Sequence, residues 1–152
     1  MRPVLQAFLR EPTIFSGIRG TKPPKVAHIQ TDGSFGPFEM EFKISRTAVI
    51  LRDRVGHDYT LCKTYLDHNH SMESEWCSIL DGIRYAIQRD EGSIELENDC
   101  LPVVKSITRR KIPANSLLAN YYTAVFKEIR GLDYLGIRWI PRELNKADEL
   151  FR

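Results

Sequence analysis

The sequence predicts an α/β domain, a mixed five-stranded sheet with helices on both faces. Three observations predict it. Between residues 26 and 66, three runs rich in β-branched and aromatic residues follow one another, which implies an antiparallel meander. From Glu73 the apolar period lengthens from two to nearly four, the pattern of a helix packed on a core. From there to the C-terminus, short strand-like runs alternate with helical ones. The order is βββαβααβα, in which the last two strands add in parallel to the first three.

Length and composition agree with that class. The chain has 152 residues, 42% hydrophobic and 10% aromatic, enough for one domain with its own core and an expected monomer. Cys62, Cys77 and Cys100 are an odd number at wide spacing, with no C-x-x-C pair. With no secretory signal in view, free thiols and a cytoplasmic location are expected, the nucleus or an organelle being the eukaryotic alternatives. No stretch approaches the roughly 20 apolar residues of a membrane span, so a soluble protein is expected. Net charge is +2, but residues 1–25 hold Arg2, Arg10, Arg19, Lys22 and Lys25 against Glu11, a local +4 that leaves −2 for residues 26–152. Affinity for a polyanion must therefore come from local basic patches and bound metal.

In chain order, Val4-Leu5-Gln6-Ala7-Phe8-Leu9-Arg10 reads as a short amphipathic helix, separated from the body by Gly17, Gly20, Pro23 and Pro24. Residues 1–25 are thus expected as a basic N-terminal extension, either an arm or an organelle-targeting peptide, and residues 26–152 as the domain. Strands are expected at 26–31, 38–51 and 59–66, with a hairpin turn at 52–57. Trp76, Ile79, Leu80, Ile83, Ala86 and Ile87 give the apolar stripe of a helix over 73–88, with Ser71 as its cap. A short strand at 94–97 precedes a helix through Val103, Val104 and Ile107, whose Pro102 fits the first turn. After Pro113 a longer helix carries Leu117, Leu118, Tyr121, Tyr122, Val125, Phe126 and Ile129 at core spacing, and Gly131 ends it. The last strand is expected at 134–140, and a final helix begins at Asn145.

Acids fall at the ends of these elements. Asp32 is expected just past the first strand, Asp99 just past the fourth, and Glu75 and Asp148 in the first turns of helices. A converging set of carboxylates can hold two hard divalent cations where one would hold them poorly. Each acid also has an ordinary explanation. Asp32-Gly33 fits a hairpin turn, Glu75 a helix surface charge, Asp99 a helix cap, and Asn145 with Asp148 a capping pair.

Four stretches carry a resemblance. Thr31-Asp32-Gly33-Ser34, the helix Glu75-Trp76-Cys77-Ser78-Ile79-Leu80-Asp81-Gly82-Ile83-Arg84-Tyr85-Ala86, the strand end Glu97-Asn98-Asp99-Cys100, and Trp139-Ile140-Pro141-Arg142-Glu143-Leu144-Asn145-Lys146-Ala147-Asp148 resemble, in this order, the type 1 ribonuclease H family. The resemblance runs from about residue 26 to the C-terminus. It implies the family's fold and its metal-dependent cleavage of the RNA strand of RNA–DNA hybrids. It implies Asp32, Glu75, Asp99 and Asp148 as catalytic and metal-binding acids for two Mg²⁺, with Mn²⁺ as a substitute, roughly 4 Å apart. Asp32 would be shared, Glu75 and Asp99 would serve one ion and Asp148 the other, and Glu75 would reach the 2′-hydroxyl that marks RNA. Glu73 competes with Glu75, but the register of Ile79-Leu80-Asp81-Gly82-Ile83-Arg84 favours Glu75. Substrate contacts are expected at Gly33, Ser34, Asn69, Arg142 and Asn145, and at Arg109, Arg110 and Lys111, whose charges fit a grip on the DNA backbone or equally an ordinary solvated turn. A metal role for His68 and His70 is outweighed by a surface loop.

The chain departs from the family in several places. The glycine-rich turn after the first strand is reduced to Phe35-Gly36-Pro37, and the spacing from Asn145 to Asp148 is one residue short. Pro141-Arg142-Glu143 stands where many members carry a histidine. Only Thr108-Arg109-Arg110-Lys111-Ile112-Pro113 replaces the basic protrusion. Two other readings therefore stand beside the hybrid nuclease: a catalytically weak module that binds nucleic acid or protein, and a nuclease of the same fold acting on DNA.

Overall fold

The computed structural model describes residues 14–36 and 44–152. The helix expected at 4–10 and the first part of the second expected strand, residues 38–43, lie outside the described residues.

The strands are β1 (Ser16–Arg19), β2 (Ala27–Gly36), β3 (Ile44–Arg52), β4 (Asp58–Tyr65), β5 (Ser93–Asn98) and β6 (Tyr134–Trp139). The helices are α1 (Ser71–Gln88), α2 (Leu101–Thr108) and α3 (Ser116–Ile129), followed by 3-10 segments at Arg142–Leu144 and Lys146–Phe151. One sheet runs β1-β6-β5-β2-β3-β4. The meander β2-β3-β4 is antiparallel, β5 and β6 add in parallel, and β1 closes the other edge antiparallel to β6. The expected mixed α/β sheet is present with six strands instead of five. The extra strand comes from within the stretch read as an extension. Four residues are too few to display a period of two, and Ser16-Gly17-Ile18-Arg19 lies among glycines. It is a strand because Ile18 is buried and Gly17 faces Gly136 on β6.

Strand alternation sorts the faces. Ile29, Val49, Leu51, Ile94, Leu96 and Ile137 join one buried cluster with Trp76, Ile79 and Ile83 of α1, Val103, Val104 and Ile107 of α2, and Val125 and Ile129 of α3. The C-terminal 3-10 segment covers part of the opposite face. Its fully buried Ala147 is held there by Gln30, whose Oε1 accepts from the Lys146 N–H at 3.0 Å and whose Nε2 donates to the Leu144 carbonyl at 3.3 Å. The sequence predicts an α-helix of about two turns here. Instead the chain closes i→i+3 bonds such as Arg152 N–H to the Glu149 carbonyl, 3.2 Å, the winding suited to a piece this short.

The start of α1 also differs from expectation. The cap is His70, not Ser71: its Nδ1 accepts from the Met72 N–H at 3.0 Å. Glu75 is consequently the fifth helical residue and sits in the second turn. Among the described residues, no helix is long and apolar enough to cross a membrane.

Candidate active site

The site begins with a mismatch in strand length. β2 stays paired with β3 as far as Gly36 opposite Ile44, but its parallel pairing with β5 stops at Thr31 opposite Asn98. Asp32 is therefore not at a strand end, and Asp32-Gly33 is not a turn. Asp32 is the first β2 residue to project beyond its parallel neighbour, and Asp99 is the first residue after that neighbour ends. The two acids emerge side by side from adjacent strands.

Gly33 brings the third acid. A Cβ built on it would lie 2.4 Å from the Ser74 carbonyl and 2.7 Å from the Glu75 nitrogen, so the α1 backbone rests directly on the strand. Farther along, Gly82 plays the reciprocal part, since a Cβ there would meet Thr31 Cγ2 at 2.6 Å. This close approach delivers Glu75 to the strand ends, where Asp32, Glu75 and Asp99 offer carboxylate oxygens all within 4.8 Å of one another.

Such proximity in a buried place is electrostatically costly. Burial, then Asp99 and Asp148, push Asp32 up to about 7, although Oδ1 accepts from the Gly33 N–H at 2.9 Å. Burial, then Asp32 and Asp99, push Glu75 up to about 9. Asp99 is raised by burial too, against the opposing pull of Arg142 and the Asn145 amide. Glu75 Oε2 is buried with no hydrogen-bond partner. Hard oxygen donors, mutual repulsion and an orphaned buried oxygen all fit a divalent cation, which would discharge the cluster and take up that oxygen.

These acids open on a cleft of about 680 Å³, also lined by Gly33, Ser34, Ser71, Cys100, Trp139, Arg142 and Asp148. Asp148 faces the same cleft but stands outside the group of three. Its carboxylate does not close a capping pair. Oδ2 lies 3.1 Å from Arg152 Nη2 and Oδ1 3.8 Å from Arg142 Nη2.

Other expected residues have different placements. Asn145 is buried: its Nδ2 donates to the Thr31 carbonyl at 2.9 Å and its Oδ1 accepts from the Ala147 N–H at 3.2 Å, so it acts as a brace. Arg110 donates to the Ile18 carbonyl and lies over the Phe126 ring, which ties β1 to the helical layer. Arg109 and Lys111 are exposed beside a second cleft of about 320 Å³ with Trp76, Lys105 and Leu118. Asn69 is exposed, and its N–H donates to Glu73 Oε1 at 2.9 Å. Glu73 is turned away from the cluster, because its other oxygen accepts from Tyr121 Oη at 3.1 Å. His68, expected on a surface loop, is buried and bonded to Ser45 and Tyr121.

Several supporting residues escaped the sequence reading. Asn98 donates to both the carbonyl and Oγ1 of Thr31, and its Oδ1 accepts from the Cys100 N–H at 2.7 Å, turning the chain into α2. Trp139 Nε1 donates to the Asp99 carbonyl at 3.0 Å. An Asn two residues before a helix cap is a recognisable Asx-turn signal; the Trp139 bond has no signal in sequence.

Comparison with known proteins agrees with this geometry. Residues 30–150 match the family described as reverse transcriptase-like, and no match is found among curated protein sequences. Ribonuclease H1 from the halophilic archaeon Halobacterium salinarum superposes with a TM-score of 0.71 at 20% identity, over 82% of this chain and 92% of that one. The N-terminal ribonuclease H domain of a Mycobacterium tuberculosis protein gives 0.71 at 15% identity, over 83% and 90%. LC11 ribonuclease H1, solved in complex with an RNA/DNA hybrid, gives 0.68 at 17% identity, over 82% and 92%. At such identities these structures speak for the fold alone, whereas the family match spans most of the sequence. The chain thus belongs to the reverse transcriptase-like family, and its fold is that of the ribonucleases H.

Proposed function

We propose that this protein is an endonuclease that hydrolyses the RNA strand of RNA–DNA hybrids with the help of two divalent cations, Mg²⁺ by preference. The observation that carries the reading is the convergence of Asp32, Glu75 and Asp99 from three different elements within 4.8 Å, with Glu75 Oε2 left unpartnered. Asp32, Glu75 and Asp99 would hold the cations, with Asp148, which lines the same cleft, completing the set. When bound, the cations supply Lewis acidity to the scissile phosphate and lower the pKa of an attacking water.

The protein's own groups do the rest. Gly33 keeps Glu75 beside Asp32 by letting the two backbones meet. Asn98 and Asn145 fix the Thr31 carbonyl from two sides, so the strand that carries Asp32 cannot drift. Arg142, largely exposed at the mouth of the cleft, offers a cation to the incoming phosphate. Asn69, one residue ahead of the α1 cap, contacts the RNA side of the hybrid, and Arg109 and Lys111 contact the DNA strand across the second cleft.

A second reading is favoured by one observation. Two arginines hold the Asp148 carboxylate, which suits a hybrid-binding module of weak activity. Cleavage assays on RNA–DNA, RNA–RNA and DNA–DNA duplexes with and without Mg²⁺ test both. Mg²⁺-dependent cleavage of the hybrid alone supports the nuclease. Binding without cleavage supports the module, and preference for DNA duplex refutes hybrid specificity.

A further inference from the structure

A connected set of hydrogen bonds runs through the loop ahead of α1, and the proposed mechanism does not use it. Ser45 Oγ lies 2.7 Å from His68 Nδ1, and His68 Nε2 lies 3.2 Å from Tyr121 Oη. Tyr121 Oη donates to Glu73 Oε2 at 3.1 Å, and Glu73 Oε1 accepts from the Asn69 N–H at 2.9 Å. Tyr121 has one hydroxyl proton and Glu73 uses it. His68 must then donate from Nε2 to Tyr121 and accept at Nδ1 from the Ser45 hydroxyl. Every donor in the chain points toward the Glu73 carboxylate, so one acceptor group organises the whole set.

Burial makes this arrangement specific. Ser45, His68 and Glu73 are 0%, 5% and 4% exposed, so losing a link leaves a neighbour unsatisfied inside the protein. His68 is also stacked on Tyr65 at 4.6 Å between ring centroids, and Tyr65 Oη donates to the buried Asp81 at 2.9 Å. The loop from Asp67 to His70 is thereby fastened to four elements: β3 by Ser45, β4 by Tyr65, α1 by Glu73 and α3 by Tyr121. Asn69, like Asp67 and His70, is exposed. The next residue but one, Ser71, already lines the carboxylate cleft.

We propose that Tyr121 is a positioning residue for substrate: through Glu73 and His68 it holds the loop that presents Asn69 to the hybrid, although it lies on α3 and contributes nothing to the carboxylate cleft. The inference rests on the nuclease reading for its substrate and on geometry alone for the loop. It predicts a loss in binding without a loss in chemistry, because the carboxylates keep their supports when Tyr121 is changed.

The experiment compares wild type with Tyr121→Phe and with Tyr122→Phe, whose ring packs on Trp76 and serves as control. KM and kcat are measured on an RNA–DNA hybrid, and exchange of the Asn69 amide is followed by NMR. Tyr121→Phe should raise KM by about tenfold, the worth of one ordinary hydrogen bond, leave kcat within about twofold, and speed exchange at Asn69. The control should change none of these. Glu73→Gln, which keeps the shape and removes the charge, should move KM and exchange in the same direction and covers the case in which Tyr121→Phe folds poorly. Unchanged KM in both variants overturns the proposal while wild-type cleavage leaves the nuclease reading intact. A wild type that neither cleaves nor binds hybrid refutes the nuclease reading and the substrate role of the loop together.

Discussion

Gly33 and Glu75 meet backbone to backbone: a Cβ on Gly33 would stand 2.7 Å from the Glu75 nitrogen. No rotamer change can relieve that clash, so α1 must lift off β2 and take the Glu75 carboxylate with it. Gly33→Ala should cost about 1–3 kcal/mol of stability and most of the activity. At Gly82 the obstacle is a side chain, Thr31 Cγ2. The double variant Gly82→Ala with Thr31→Ser, which keeps the hydroxyl bonded to Asn98, should recover much of what Gly82→Ala loses. Denaturant midpoints and hybrid turnover check both, and normal activity in a well-folded Gly33→Ala protein would disprove the packing argument.

Asp32→Asn should abolish Mg²⁺-dependent cleavage and leave the fold intact. It should also stabilise the metal-free protein at pH 8, because it removes one charge from a crowded, buried set. Cleavage at near wild-type rate in this variant would show the site to be elsewhere.

Metal-free stability should fall as pH rises. Asp32 and Glu75 have folded values of about 7 and about 9, above the values near 4 of an unfolded chain. The folded state therefore binds more protons between these limits. Stability is fully present below about pH 4 and is lost as pH climbs through 7 and then 9, by on the order of a few kcal/mol. Asp32→Asn should flatten the profile, and Mg²⁺ should restore stability at pH 8 by binding only the folded form. Thermal melts at pH 5, 7 and 9 with and without Mg²⁺ read this directly; stability that rises with pH would contradict it.

Asp148→Asn separates a metal ligand from a partner of arginines. As a ligand, its loss should cut turnover at low Mg²⁺ by about tenfold or more, with partial recovery at raised Mg²⁺ or in Mn²⁺. Stability should change by about 1 kcal/mol or less, as expected for pairs with exposed arginines. Full activity with unchanged metal dependence would leave a site of Asp32, Glu75 and Asp99.

Two truncations divide the N-terminal residues. Removing residues 1–25 takes away β1, the burial of Ile18 and the partner of Arg110, and should cost about 2 kcal/mol or more. It also removes a charge of +4, which should weaken hybrid binding and flatten its salt dependence. Removing residues 1–13 spares the strand. If the salt slope of both truncated proteins equals that of the full chain, these residues do not touch phosphate, and targeting becomes their better explanation.

The sequence by itself determined the order of elements after residue 26, because periods of two and of nearly four record which side chains face the core in each segment. It also determined which acids to watch, through four motifs in a fixed order. Distances between those acids depend on contacts across long stretches of chain, which only the tertiary structure decided. Asp32-Gly33 by itself reads as a turn just past a strand; it is strand because β3 pairs across it and the α1 backbone covers its glycine. Asn145 is expected from sequence as a substrate contact, and the fold buries it as a second donor to the Thr31 carbonyl beside Asn98. Arg110 belongs to a basic run in sequence, yet the carbonyl of Ile18 claims it. Asp148 meets Arg152 at i+4, a pairing that local spacing allows, but the approach of Arg142 from the preceding 3-10 segment is set by the fold. Local pattern fixes what each segment is, and packing between distant segments fixes what each polar side chain is free to do.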